Sequence, residues 1–222
     1  MQLINRLNQL IGERHLLDHT FYRAWSAGQL TQNMLQHYAK QYYHQVQSFP
    51  RFVSRVHTYC PVIEARKVLL ENLVDEEIHG TDHPSLWRQF GEGLGVTETA
   101  MLDELPIAET QTMVDQFYAL AEGDWRDGLC ALYAYEYQVP AVSQSKIAGL
   151  KQFYGIDDER TLAFFTAHQI YDVEHANQVA GLIERYVEPE RAERATKVAR
   201  DALWGFLDGM CRVHDVTCHE EN

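Results

Sequence analysis

Basic residues are scarce in this chain. Only 19 lysines and arginines stand against 32 aspartates and glutamates, a formal net charge of −13 over 222 residues. A surface so negative repels phosphate backbones and anionic headgroups, which excludes nucleic acid and membrane surfaces as expected partners. Long apolar runs are missing too. No stretch approaches the roughly 18 uninterrupted apolar residues of a membrane span, and the opening MQLINRLNQLIGERHLL is amphipathic rather than continuously apolar. The expected location is the cytoplasm. The four cysteines, Cys60, Cys130, Cys211 and Cys218, form no CxxC pair, which removes a zinc knuckle and a disulfide framework and leaves ordinary thiols. No Asn-Gly or Asp-Gly pair sits between alternating apolar runs, no linker divides the chain, and no internal repeat is visible, so hairpin sheets, multiple domains and solenoids are all disfavoured.

What remains is helical patterning almost everywhere, with apolar residues recurring at three- and four-residue spacing. The fold class is all-α, one domain over residues 1–216 followed by a short acidic tail, 217–222. Candidate helices run over 2–17, 20–27, 31–58, 61–78, 83–93, 107–122, 125–152, 158–186 and 189–215. Thr31 suits an N-cap, Pro61 and Pro84 suit first turns, and Gly80, Gly123 and Gly155 stand where helices should stop. Asp157, Asp158 and Glu159 put negative charge where the dipole of the next helix favours it.

That helix carries the chemistry. In AHQIYDVEHANQ, His168, Asp172 and His175 are four and then three residues apart. At about 100° per residue, steps of four and seven return to within roughly 40° of the starting direction, so two imidazoles and a carboxylate share one face. All three side chains bind metals, and bundle metal sites commonly collect further carboxylates from facing helices. ENLVDEEIHGTDHPSLW offers Glu76 and His83, joined by a helical face or by a turn at Gly80, with Glu77 and His79 as rivals and Glu71 and Asp75 as outer or surface groups. CALYAYEYQVPAV offers Glu136, an acid isolated among apolar residues, and a buried carboxylate needs a metal, a cation or a proton. Pro140, four residues on, cannot bond the Glu136 carbonyl, so the helix should kink or loosen there. Three carboxylates and three imidazoles suffice for two divalent ions, and oxygen-rich ligation suits iron or manganese better than structural zinc.

With HTFYRAW, LQHYAKQYYHQV, NLVDEEIHGTDHPSLW, AYEYQVPA, SQSKIAGL and HQIYDVEH in this order, the chain resembles the heme-oxygenase-like dimetal oxidases. Within them it is most similar to the self-sacrificing para-aminobenzoate synthases, the group of the chlamydial protein associating with death domains. The resemblance implies a seven-helix heme-oxygenase-like bundle without heme, with Glu76, His83, Glu136, His168, Asp172 and His175 as ligands. It implies two divalent metals, Fe/Fe or Fe/Mn, together with dioxygen and an external reductant, and it admits a homodimer. By position it marks Tyr22 as the first choice for the side chain converted to para-aminobenzoate for folate synthesis, Tyr38 as a second redox-active or substrate tyrosine, and Lys146 as the amino donor.

Spacing alone does not select Lys146. It lies ten residues beyond Glu136, about 15 Å along a regular helix and off its face, so reaching the metals requires a break near Pro140. The other histidines, including His37 and His44 beside Tyr38, are expected on the surface or in hydrogen bonds. Three alternatives stand beside the main reading: a dimetal oxidase of an external small molecule, a metal-free quinone-biosynthesis or thiaminase-like bundle, and a protein-binding module. The metal-free enzymes would require a basic pocket or a nucleophilic cysteine, and neither stands out.

Overall fold

Local chemistry sets where each helix begins and stops in the computed structural model, which describes residues 2–216. The expected tail 217–222 lies outside the described residues. Among those described, the fold is all-α, with α1 (Gln2–Gly12), a 3-10 turn (Leu16–Asp18), α2 (Thr20–Ser26), α3 (Gln32–Tyr59), α4 (Ile63–Glu77) and α5 (His83–Gly93) forming the first half. The second half holds α6 (Glu98–Leu102), α7 (Ala108–Gly123), α8 (Trp125–Glu136), α9 (Val139–Phe153), α10 (Glu159–Tyr186) and α11 (Pro189–His214).

Side-chain caps account for the starts. Thr31 accepts from the Met34 N–H to open α3, and Asp82 accepts from Ser85 to open α5 just before Pro84. Asp158 accepts from Thr161 to open α10. Gly80 and Gly155 lie at φ +74° and +67°, the left-handed region where a side chain would be strained, and they terminate α4 and α9.

The described residues therefore hold eleven α-helices rather than the seven expected. Against the nine candidate helices of the sequence, two additions raise the number, and a third difference shortens a helix without adding one. The N-terminal stretch expected over 2–17 stops at Gly12 and resumes as a 3-10 turn, and a five-residue α6 with Thr97 as its cap fills what had read as a loop. The expected 125–152 helix divides at Tyr137 and Gln138, because Pro140 takes the N1/N2 position of a new helix instead of sitting inside an old one. Pro61 precedes α4 by two residues rather than lying in its first turn.

The bundle centres on α3 and α10. Helix α3 packs on α4, α5, α7 and α8, while α10 packs on α4, α5, α8 and α9. On α3, Tyr38 is ringed by Phe21, Tyr22 and Trp25 of α2, Tyr42 of its own helix, Trp87 of α5 and Phe206 of α11, with centroids 5.3 to 6.2 Å away. Gly149 lets α9 lie close to α2: a Cβ there would stand 2.7 Å from the Trp25 ring. The same indole donates its N–H to the Lys146 carbonyl at 3.3 Å, tying the two helices at the level of the lysine. No described helix is long and apolar enough to cross a membrane.

Candidate metal centre

Glu76 occupies the last turn of α4 and His83 the first residue of α5, so the turn at Gly80 brings together two residues that a continuous helix would also have aligned. Glu76 Oε2 and His83 Nδ1 are 2.8 Å apart, yet their alignment is not that of a hydrogen bond. The His83 and His168 rings stand 4.3 Å centroid to centroid, and ligand atoms of Glu76, His83 and His168 all lie within 4.8 Å of one another. A second group adjoins this one. Glu136, the last residue of α8, accepts from Asn72 Nδ2 at 2.5 Å and lies 3.9 Å from His175 Nδ1. Asp172 is sealed beside both groups, and the charges of Glu136 and Glu76 act on it.

The rivals stand elsewhere. Glu77, Glu71 and His79 are exposed, and Asp75, half-buried, accepts from His79 and His175.

All six side chains are almost completely buried, the most exposed at 4 %. Burial pushes the Glu136 carboxyl up to about 8, with Asn72 opposing and Glu76 adding to the rise. Burial also raises Asp172 well above the carboxylate range, and the neighbouring Glu136 and Glu76 raise it further. His168 goes the other way: burial, then the His83 charge, holds it well below its usual value. His83 is desolvated as well, but the adjoining Glu76 outweighs this and raises it.

The donor set fits divalent cations on these observations. Glu136 Oε2, Asp172 Oδ2, His83 Nδ1 and His175 Nδ1 are buried without a hydrogen-bond partner, a costly state for polar atoms that a cation would relieve. His168 donates Nδ1–H to the Phe164 carbonyl at 2.7 Å, leaving the Nε2 lone pair for a ligand.

Next to this group lies a cluster of phenols and an amine, near enough for the Lys146 charge to act on His168. The Tyr22 and Tyr38 hydroxyls are 2.8 Å apart, and Lys146 Nζ donates to Tyr38 Oη at 2.6 Å. The break between α8 and α9 redirects the chain after Glu136 and lets Lys146 join this cluster. Burial holds the amine well below its ordinary value and both phenols well above theirs, so in each case the uncharged form is the one favoured. Tyr42 stacks on Tyr38 at 5.5 Å and hydrogen-bonds Tyr135, and both feel the Asp172 charge. Neither Tyr42 nor Tyr135 stood out in the sequence, although one lies a helical turn after Tyr38 and the other directly precedes Glu136. Asn72, a turn before Glu76, was readable in the same way.

A buried nest of imidazoles and carboxylates inside an all-helical bundle has the make-up of a metal-binding protein. The match to known proteins is specific. Residues 36–208 match the family described as iron-containing redox enzymes, and the chain belongs to that family. It is 37% identical to the 4-aminobenzoate synthase of Chlamydia trachomatis over 99% of this chain and 97% of that protein. It is also 37% identical to the 4-aminobenzoate synthase of Nitrosomonas europaea, over 96% of this chain and 91% of that one. Its fold is similar to a domain with a heme oxygenase-like fold from Shewanella denitrificans, with a TM-score of 0.81 at 14% identity over 96% of this chain and 92% of the other.

Proposed function

We propose that this chain is a 4-aminobenzoate synthase that takes the product's ring from its own Tyr22 and the nitrogen from Lys146. Its 37% identity to two such synthases supports the activity. The observation that carries the self-sacrificing reading is the setting of the lysine. Lys146 Nζ stands 4.9 to 5.8 Å from the ring centroids of Tyr22, Trp25, Tyr38, Tyr42, Trp87 and Phe165, so the rings within reach of this amine are the chain's own.

Glu76, His83 and His168 would hold one ion and Glu136, Asp172 and His175 the other, as two irons or an iron–manganese pair. When bound, the two ions supply reductive activation of dioxygen with electrons from an external reductant.

The chain's residues do the rest. The product is an aromatic ring plus one carbon, and a tyrosine ring plus its Cβ provides that skeleton with oxygen para to the carbon. Cleavage between Cα and Cβ of Tyr22 frees it. Oxidation of Cβ gives the carboxylate, and nitrogen replaces the phenolic oxygen. Burial disfavours the charged form of the Lys146 amine, which favours a lone pair able to attack the ring carbon once dioxygen has oxidised the phenol by two electrons. The ring oxygen leaves as water, the Cε–N bond gives its two electrons back to the ring as it becomes an imine, and hydrolysis leaves the nitrogen on the ring and an aldehyde at Cε. Tyr38 bridges the two by accepting from Lys146 and sharing a hydrogen bond with Tyr22. Tyr22 sits on the seven-residue α2, whereas Tyr38 lies within the 28-residue α3, so removing the Tyr22 ring disturbs less of the bundle. Each chain turns over about once.

Aerobic incubation of anaerobically iron-loaded protein with reductant, followed by mass analysis of the intact chain and the small-molecule fraction, tests this. The expected result is 4-aminobenzoate matched by loss of the Tyr22 ring and conversion of Lys146. Product formed while the polypeptide stays intact would refute self-sacrifice.

A further inference from the structure

We propose that Asp75 is a positioning residue of the metal centre, fixing the His175 ring so that Nδ1 faces inward as its ligand atom. The inference rests on the reading of His175 as a ligand. Asp75 lies next to Glu76 on α4, but successive helix residues point about 100° apart, and its carboxylate takes the outer side. There Oδ2 is 2.9 Å from His175 Nε2, and Oδ1 is 2.7 Å from His79 Nδ1. A carboxylate accepts only, so the His175 hydrogen is placed on Nε2 and the lone pair on Nδ1. That Nδ1 is the buried, unpartnered atom 3.9 Å from Glu136.

The arrangement repeats what the Phe164 carbonyl does for His168, with the ring reversed: there Nδ1 carries the hydrogen and Nε2 is left free. His79, exposed, holds the second carboxylate oxygen and so limits rotation of Asp75. The three residues form part of the wall of a surface cavity of about 540 Å³ between α4 and α10, also lined by Leu70, Glu71 and Tyr171. His175 is the element of the centre that faces this cavity, which makes it the ligand most in need of an outer restraint. Imidazole ligands without such a carboxylate or carbonyl partner typically lose 10- to 100-fold in metal affinity.

The test is titration of metal-free full-length protein with Mn(II), read by the spin resonance of the free ion. Asp75→Ala should weaken binding about 10- to 100-fold, Asp75→Asn, which keeps an acceptor oxygen, should recover most of that loss, and Glu71→Ala, which removes a charge from the same cavity wall, should change little. Independently, ¹⁵N NMR of His175 in the metal-free parent protein should show the Nε2–H tautomer. Undiminished Mn(II) binding by Asp75→Ala, an equal loss in Glu71→Ala, or a predominant Nδ1–H tautomer would each overturn the assignment. His175→Ala separates the two levels. If it binds Mn(II) normally, the ligand set itself fails; if it weakens binding while Asp75→Ala does not, only the role of Asp75 falls.

Discussion

Replacing Glu136 with glutamine should stabilise the metal-free protein, and increasingly so as pH rises. In the folded chain without metal the Glu136 carboxyl titrates near 8, against an ordinary value of 4.5. Between those values the folded state keeps a proton that the unfolded state has lost. Stability therefore falls with rising pH across this window, by about 1.4 kcal/mol per pH unit. Glutamine preserves the oxygen that accepts from Asn72 and never ionises. Its advantage should be near zero at about pH 4.5 and grow by up to about 4 kcal/mol between about pH 5 and 8. For a domain of this size that is roughly 8–16 °C in melting temperature. His168, held low by burial, gives the opposite slope, but it is present in both proteins and largely cancels from the difference. The assay is calorimetric melting of chelator-treated parent and Glu136→Gln proteins at several pH values. A difference that is flat, or that favours the parent as pH rises, would refute the claim that this carboxylate is buried with uncompensated charge.

His168→Ala should remove at least one bound ion per chain without unfolding the bundle, as read by elemental analysis and helical circular dichroism. Tyr22→Phe should abolish 4-aminobenzoate formation while metal content stays at the parent level, read by mass analysis and elemental analysis together. Tyr38→Phe removes the only hydrogen bond described for the buried Lys146 amine, so it should cost about 1–3 kcal/mol in denaturant unfolding and also lower product yield. Metal loading should release protons, because the raised Glu136 carboxyl must ionise to bind; calorimetry in buffers of different ionisation enthalpy should show affinity rising from about pH 6 to 8.

Much of the architecture was legible in the sequence because capping and apolar spacing are local. Thr31 and Gly155 mark helix ends through their own backbone chemistry, and the structure places them there. His168, Asp172 and His175 were readable for the same reason: one helix fixes their common face, and all three are buried on it. The division at Tyr137 and Gln138 was only half legible. Pro140 announced irregularity at Glu136, but whether a proline kinks one helix or starts another depends on what packs around it. That choice decides where Lys146 points, which is why spacing alone put the lysine out of reach while the folded chain brings it to Tyr38. Asp75 was ambiguous for a related reason. Its bond to His175 spans 100 residues and joins two helices, and no local pattern encodes such a pairing.

The most direct measurement is a crystal structure of iron- and manganese-loaded protein with anomalous data collected at both metal edges. The account predicts two peaks per chain, one bounded by Glu76, His83 and His168 and the other by Glu136, Asp172 and His175. Metal bound anywhere else, or none at these six side chains, would contradict it.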